Sequence, residues 1–427
     1  MLTTYTTYKD SEVEWVGEVP SHYRIGKLKH LCDENQRSLS NSTDPNYELN
    51  YIEISDVNSK GVIEKSTPYI FSESPSRCRR IVQRGDVIVS TVRTYLKSIG
   101  LIEEEVEDLI CSTGFSVLTP RENINPKYLF YLLRTEWFIS MVISNSEGVS
   151  YPSIQSEKLM NINVVFCDFS EQQQIVSFLD TKTSLIDSLI EKTQRNIELL
   201  KEKRTSLINE VVTKGLNPNV DMKDSGVEWI GEIPSHWKTK KLKYLSKIIY
   251  GISPPDTTYN DEGVGTLLIN GPVEYSKTDF GYTRSLKWTT EPKKFTTKGS
   301  LLFCLRGSTT GRMNITHTDV SIGRGVCSIN SKEDQWFLIY SMFSVRRWIQ
   351  DQISGSTFPS VTSDDVDNYV ICSPPINEQE QIVEYLDEQT QLIDKTISNE
   401  VKRTELLNEY RQSLISEVVT GKRKVVE

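Results

Sequence analysis

The 427-residue chain is poor in the residue types that most catalytic and metal sites require. Its four histidines, His22, His30, His236 and His317, are too few and too dispersed for a metal or triad arrangement. The seven cysteines (Cys32, Cys78, Cys111, Cys167, Cys304, Cys327, Cys372) are odd in number and form no C-x-x-C pair. That spacing argues against a zinc site or disulfide framework and suits a reducing cytosol. No apolar run approaches a membrane span, and the polar stretch Thr3, Thr4, Thr6, Thr7, Lys9 lacks the apolar core of a signal peptide. The expectation is a cytoplasmic protein without membrane contact.

Cofactor loops are missing too. Ser253-Pro254-Pro255-Asp256 and Ser373-Pro374-Pro375-Ile376 have the outline of the Pro-Pro loop of amino-methyltransferases. Both lack the aromatic residue that stacks on a flipped base, so they read as turns. Gly307-Ser308-Thr309-Thr310-Gly311-Arg312 has the wrong spacing for a phosphate loop and no Lys-Ser/Thr ending. No catalytic residue and no metal ligand is assigned.

Net positive charge is also lacking: the formal charge is −9, whereas nucleic-acid binders usually carry a basic footprint. Read locally, the objection weakens. Residues 77–97 hold Arg77, Arg79, Arg80, Arg84, Arg93 and Lys97 against the single acid Asp86. Residues 284–324 hold Arg284, Lys287, Lys293, Lys294, Lys298, Arg306, Arg312 and Arg324 against Glu291 and Asp319.

What the chain does have is internal repetition. Asp10-Ser11-Glu12-Val13-Glu14-Trp15-Val16-Gly17-Glu18-Val19-Pro20-Ser21-His22-Tyr23 returns 214 residues later as Asp224-Ser225-Gly226-Val227-Glu228-Trp229-Ile230-Gly231-Glu232-Ile233-Pro234-Ser235-His236-Trp237. A second block repeats at an offset of 207, from Gly148–Thr213 to Gly355–Thr420. The first half thus holds seven more residues between the blocks than the second. Each half is a fixed frame around a variable insert, and a fused pair of similar halves has an approximate two-fold available to it. In the frame, His22 and His236 suit packing or capping better than catalysis.

The second block reads as a long helix, since no Gly or Pro falls between Ser170 and Lys214 or between Ile376 and Thr420. Its apolar residues follow a heptad seam: Leu179, Ile186, Ile190, Ile197, Leu200 and Leu207 in one copy, Leu386, Ile393, Ile397, Leu407 and Leu414 in the other. Thr183/Thr390 and Arg204/Arg411 interrupt both seams at matching places, as register-fixing polar residues do. Helices of about 60 Å at 1.5 Å per residue need a partner. The other copy is the natural one, in an antiparallel coiled coil; a helical hairpin within one compact domain is the alternative.

The inserts read as α+β. Residues 86–92 and 300–306 have the composition of short buried strands, and 127–143 and 335–350 have helical periodicity. Cations, hydroxyls and an aromatic are mixed over residues 90–97 and in the corresponding segment 304–312, the residue types that meet phosphates and base edges. The candidate DNA-binding residues are Arg77, Arg79, Arg80, Thr91, Arg93, Thr94, Lys97, Arg306, Ser308, Thr309, Thr310 and Arg312. The repeated loop before each helix adds Ser150, Tyr151, Thr357 and Ser360.

The repeated frame, each time followed by Lys27-Leu28-Lys29 or Lys241-Leu242-Lys243, resembles the DNA-specificity subunit of type I restriction–modification systems. So do the helices, which open Glu171-Gln172-Gln173-Gln174-Ile175-Val176 and Glu378-Gln379-Glu380-Gln381-Ile382-Val383. They close Leu207-Ile208-Asn209-Glu210-Val211-Val212-Thr213 and Leu414-Ile415-Ser416-Glu417-Val418-Val419-Thr420. The resemblance implies two similar target-recognition domains separated by two long helices in an antiparallel coiled coil with a pseudo-two-fold. Its domains would be residues 1–169, helix 170–214, residues 215–375, and helix with tail 376–427. It further implies that each insert reads half of a bipartite asymmetric site in double-stranded DNA. The helices would set the spacer and dock two modification (methyltransferase) subunits, which carry S-adenosylmethionine; restriction subunits join the larger assembly. The chain itself would be non-catalytic. A specificity protein with methyltransferase or nuclease chemistry of its own, and a purely structural coiled-coil scaffold, are the alternatives.

Overall fold

The computed structural model describes residues 4–13, 16–278, 280–307, 309–353 and 360–425, without the side chains of 347 and 350–353. The chain forms two compact units, residues 1–194 with 401–427 and residues 195–400. Both are α+β.

Two helices dominate, Phe169–Lys214 and Ile376–Val419. At 1.5 Å per residue they are about 69 and 66 Å long. The first opens on Asp168, whose carboxylate accepts from the Glu171 N–H at 2.9 Å, satisfying a donor that the first turn leaves free. The second follows Pro374-Pro375, with the Glu378 N–H on the Pro375 carbonyl at 2.9 Å. In both, the second Gln-type position folds back: Gln172 Nε2 donates to the Cys167 carbonyl and Gln379 Nε2 to that of Pro374, each at 2.9 Å.

Both helices end on a glycine in the left-handed region, Gly215 (φ +74°) and Gly421 (φ +73°). A Cβ on Gly215 would meet the Trp237 ring at 3.0 Å, and one on Gly421 would meet Pro20 at 2.5 Å. Each helix therefore stops against a copy of the repeated frame.

Along the first helix, Leu179, Thr183, Ile186, Ile190, Thr193 and Ile197 are buried, alternating in steps of four and three, and Val211 is buried two heptads further on. Leu200 and Leu207 are half-buried. On the second, Leu386, Thr390, Ile393, Leu414 and Val418 are buried, with Ile397 and Leu407 half-buried. In the first unit Arg411 reaches Asp187 at 3.1 Å; in the second Arg204 reaches Asp394 at 3.0 Å. Partner numbers fall as numbers on the first helix rise, so the helices run antiparallel.

Within the inserts the units share one plan. An antiparallel sheet orders Cys32–Glu34, Phe115–Pro120, Val87–Ser90 and Ile99–Leu101; its counterpart orders Ser246–Tyr250, Val326–Ser331, Leu301–Cys304 and Met313–Ile315. The inner strands Val87–Ser90 and Leu301–Cys304 are buried throughout, as unbroken apolar runs require. A second sheet in each unit sets one parallel pair, Glu48–Ile52 with Leu109–Ser112 and Thr266–Ile269 with Val320–Ile322. A two-stranded clasp closes each insert: Arg24–Lys27 on Asn163–Phe166, and Lys238–Lys241 on Val370–Ser373.

One element departs from expectation. Residues 127–143 are not one periodic helix but two, Pro126–Leu133 and Glu136–Ser144. The Thr135 hydroxyl donates to the Leu132 carbonyl at 2.7 Å, and the buried Arg134 turns toward residues 59–60. The equivalent helix Gln335–Ile353 is continuous.

Candidate nucleic-acid interface

The frame turns out to be a socket for helix ends. His22 Nε2 lies 2.8 Å from Glu171 and His236 Nε2 lies 2.8 Å from Glu378, both in a first helical turn. Trp237 is fully buried and its indole N–H donates to Glu378 at 2.8 Å; Tyr23, in the same place, is equally buried. Each frame thus grips the start of one helix and the glycine end of the other. Glu14 and Trp15 lie outside the described residues.

The seam threonines have a task beyond register. Thr183 and Thr390 donate to the carbonyls of Leu179 and Leu386, and they face tyrosines from the insert helices. Tyr131 donates to Asp180 at 2.8 Å and Tyr340 to Asp387 at 2.6 Å, each with its threonine within 3.4 Å. These tyrosines and aspartates anchor the inserts on the helices.

Away from the helices, the loop after the inner strand meets the loop that precedes the long helix, in the same way in both units. The Ile154 N–H donates to the Thr91 carbonyl and the Val361 N–H to that of Leu305, each at 2.9 Å. Thr91 N–H reaches Gly114 at 2.8 Å and Leu305 N–H reaches Gly325 at 2.9 Å. Bridges pair Val92 with Ser153 and Arg306 with Ser360.

This geometry gathers several candidates from the sequence. In the first unit Thr91, Arg93, Thr94 and Lys97 stand beside Ser150 and Tyr151, with the Arg93 guanidinium 4.7 Å from the Tyr151 ring centre. Arg77 joins them through its carbonyl, which accepts from the Thr113 N–H at 2.8 Å next to Gly114. Arg79 and Arg80 are half-buried on the strand Cys78–Ile81 of the other sheet, Arg79 against Phe71 at 4.8 Å. Thr94 is buried, 2.9 Å from the Ser146 hydroxyl.

In the second unit Arg306 is exposed beside Ser360. Thr310 is buried and bonds the Gly307 carbonyl at 2.7 Å; Thr309 sits 3.8 Å from the Cys304 sulfur. Arg312 is half-buried and donates to the Ser276 carbonyl at 2.7 Å. Ser308 and Thr357 lie outside the described residues. Two features of these loops stand in the sequence's basic stretches but outside its candidate DNA-binding residues: exposed Arg324, on the turn beside Gly325, and the exposed apolar pair Tyr95-Leu96. The pair's signal was its place between Arg93 and Lys97.

Electrostatics favour an anion at the first loop cluster. Asp86 is fully buried, paired with Arg37 at 2.5 Å and accepting from Thr119 at 2.7 Å. Arg77, Arg93 and Lys97 face solvent there, with no exposed acid between residues 77 and 97.

Among the described residues nothing comparable gathers for catalysis. All seven thiols are free and buried, and burial pushes Cys32, Cys167 and Cys372 up to about 12, the opposite of an activated nucleophile. Among the described residues no three His, Cys, Asp or Glu side chains cluster as metal ligands, and no helix is long and apolar enough to cross a membrane.

Comparison with known proteins agrees with this architecture. The family model described as "Type I restriction modification DNA specificity domain" matches twice, over residues 20–200 and 234–403. A putative type I restriction enzyme MjaX specificity subunit of Methanocaldococcus jannaschii is 28% identical over 429 residues, covering 96% of each chain. The EcoDI specificity subunit of Escherichia coli is 23% identical, covering 70% of each. The HsdS subunit from Thermoanaerobacter tengcongensis is 25% identical with a TM-score of 0.57, over 94% of this chain and 98% of that one. A chain from a structure concerned with complex assembly and conformational transition of the type I R-M system has the same identity and coverage, with a TM-score of 0.78. With the family model matched over both halves, the chain belongs to the type I restriction–modification DNA-specificity family.

Proposed function

We propose that this chain is the non-catalytic DNA-recognition subunit of a type I restriction–modification complex, each insert reading one half of a bipartite, asymmetric site. The observation that carries this is the twinned loop cluster. One backbone arrangement recurs in both units and presents different side chains: Arg93, Lys97 and Tyr151 in one, Arg306 and Arg324 in the other. A constant scaffold with unlike reading groups is what two unlike half-sites demand, since phosphate contacts position a protein and base contacts specify.

The long helices set the spacer and, with the frames, dock two modification subunits. Those subunits supply S-adenosylmethionine and the transfer chemistry, and restriction subunits complete the assembly in the cytoplasm. Partner subunits also share the grip on DNA, which reconciles a net charge of −9 with the role. The test is exchange of residues 245–354 for the insert of a relative with another specificity, followed by methylation mapping of the assembled complex. One half of the methylated site changes and the other stays. A change in both halves refutes two independent readers.

A further inference from the structure

The loop tip of the first unit carries a feature that its counterpart lacks. Arg93 (φ 53°, ψ 50°) and Lys97 (φ 57°, ψ 30°) both adopt the left-handed conformation and bracket one turn of 3-10 helix, Thr94–Leu96. Non-glycine residues rarely sit there, and two within five residues mark a shape held against its own preference. The turn is fixed at its base. Leu96 N–H bonds the Arg93 carbonyl at 2.9 Å, Lys97 N–H that of Thr94 at 3.1 Å, and Arg93 N–H that of Pro152 at 2.7 Å. Thr94 is tied to Ser146, and the Arg93 side chain rests on Tyr151.

What this base holds up is apolar. Tyr95 is 52% exposed and Leu96 41% exposed, between two exposed cations. Acids do not cancel that charge: Asp86 is buried, and Glu147 on the facing loop is paired with Lys158. In the second unit the matching segment runs Arg306-Gly307-Ser308-Thr309-Thr310-Gly311-Arg312, with no large apolar residue.

We infer that Tyr95 and Leu96 are an apolar reading tip for duplex DNA, placed against thymine methyl groups of one half-site, with Arg93 and Lys97 on the flanking phosphates. The inference rests on the recognition role proposed above. Thymine's methyl is the one apolar mark that a base pair shows in the major groove, and a rigid aromatic–aliphatic tip is matched to it. Cations on either side supply the attraction that a purely apolar knob would lack. The half-site read by the first unit is thereby expected to contain an A·T pair that the second unit's polar tip has no equivalent means to read.

The experiment uses the full chain assembled with its modification subunits and measures binding to duplexes substituted in one half-site at a time. Tyr95→Ser with Leu96→Ser should lower discrimination at one or two A·T pairs of a single half-site about tenfold. Replacing those thymines by uracil, which removes only the methyl, should weaken the wild type and leave the double variant unaffected. Lys97→Gly keeps the left-handed backbone and removes the charge. It should weaken binding to every sequence alike and reduce the salt dependence by about one ion. Discrimination at the other half-site serves as the control for folding. Unchanged discrimination in the double variant, or an equal uracil effect in both proteins, overturns the tip. So does loss of modification subunits with DNA selectivity intact, which would turn the tip toward protein. If the wild-type complex shows no sequence-selective binding, the recognition role itself fails rather than this assignment.

Discussion

The two units anchor an insert on the same kind of helix pair with unlike chemistry. In the first, Arg134 follows Tyr131 by three residues; it is 5% exposed and donates to the carbonyls of Ser59 and Lys60, the former at 3.0 Å. Among the described residues no carboxylate forms an ion pair with it, and burial first, then Arg411, pull its guanidinium down to about 10, still charged at neutral pH. Beside it lies a cavity of about 530 Å³ whose lining includes Lys60, Lys127, Asp180 and Arg411. In the second unit the position three residues after Tyr340 is Phe343, and Phe280 stacks on it with ring centres 4.0 Å apart. Phe280 also stands 5.2 Å from Tyr340 and 4.5 Å from the Arg204 guanidinium. One junction is a polar hook and the other an aromatic clamp. Threonine, aspartate and arginine on the long helices recur at the 207 offset and the tyrosines that meet them at 209, whereas the groups that touch only the unit's own insert differ.

Removing the hook should have the largest effect. Arg134→Met removes a buried guanidinium and its two charge-assisted hydrogen bonds to the Ser59 and Lys60 carbonyls, and about 3 kcal/mol of first-unit stability should be lost. Hydrogen exchange would locate the loss to residues 56–64 and the Pro126–Leu133 helix. Equal loosening of the second unit would break the comparison, because it would mean that the hook does not act locally.

Opening the clamp should cost less, since Phe280 is only half-buried. Phe280→Ala should destabilise the second unit by about 2 kcal/mol, below the 3–5 typical of a fully buried phenylalanine. Phe280 is left-handed at φ 56°, so Phe280→Gly should be no worse than Phe280→Ala. That reverses the usual penalty of roughly 0.5–1 kcal/mol for glycine over alanine. Thermal unfolding of the two variants side by side decides it, and a glycine variant clearly weaker than the alanine one would remove backbone strain from the account.

How much of this was legible beforehand follows from the range of the interactions. Heptad spacing and the absence of Gly and Pro are local, and they located both long helices; apolar runs after a glycine located Val87–Ser90 and Leu301–Cys304. The break at Arg134-Thr135 was hidden, because no helix breaker stands there and its cause lies some 75 residues away, at Ser59 and Lys60. The same holds for the frame. His22, Tyr23, His236 and Trp237 repeat visibly, but only the fold shows that they hold helix ends, an internal reason for repetition that requires no partner. At the reading loops, sequence proximity joined Arg93 to Lys97, and the pairing of Val92 with Ser153 brought in Tyr151. Arg312 and Thr310 have reading chemistry in the sequence, yet their polar atoms are engaged with backbone.

The smallest expected difference separates the reciprocal ion pairs. Arg411 meets Asp187 through two nitrogens at 3.2 and 3.1 Å, with side chains 12% and 36% exposed. Arg204 meets Asp394 at 3.0 Å, with exposures of 15% and 52%. Neither pair is deeply buried, so double-mutant cycles should return couplings of only about 0.5–1 kcal/mol. Their surroundings make them respond differently. The Asp394 carboxylate is the more open, so its coupling should fade further in molar salt. Arg411 has the Arg134 charge near it, and that repulsion is absent around Arg204, whose neighbour is Phe280. Measured again in an Arg134→Met background, the Arg411–Asp187 coupling should rise by a few tenths of a kcal/mol, while Arg204–Asp394 stays fixed. A first coupling indifferent to Arg134 would separate hook from seam, and the two junctions would then differ only in what holds them and not in how they act on the helices.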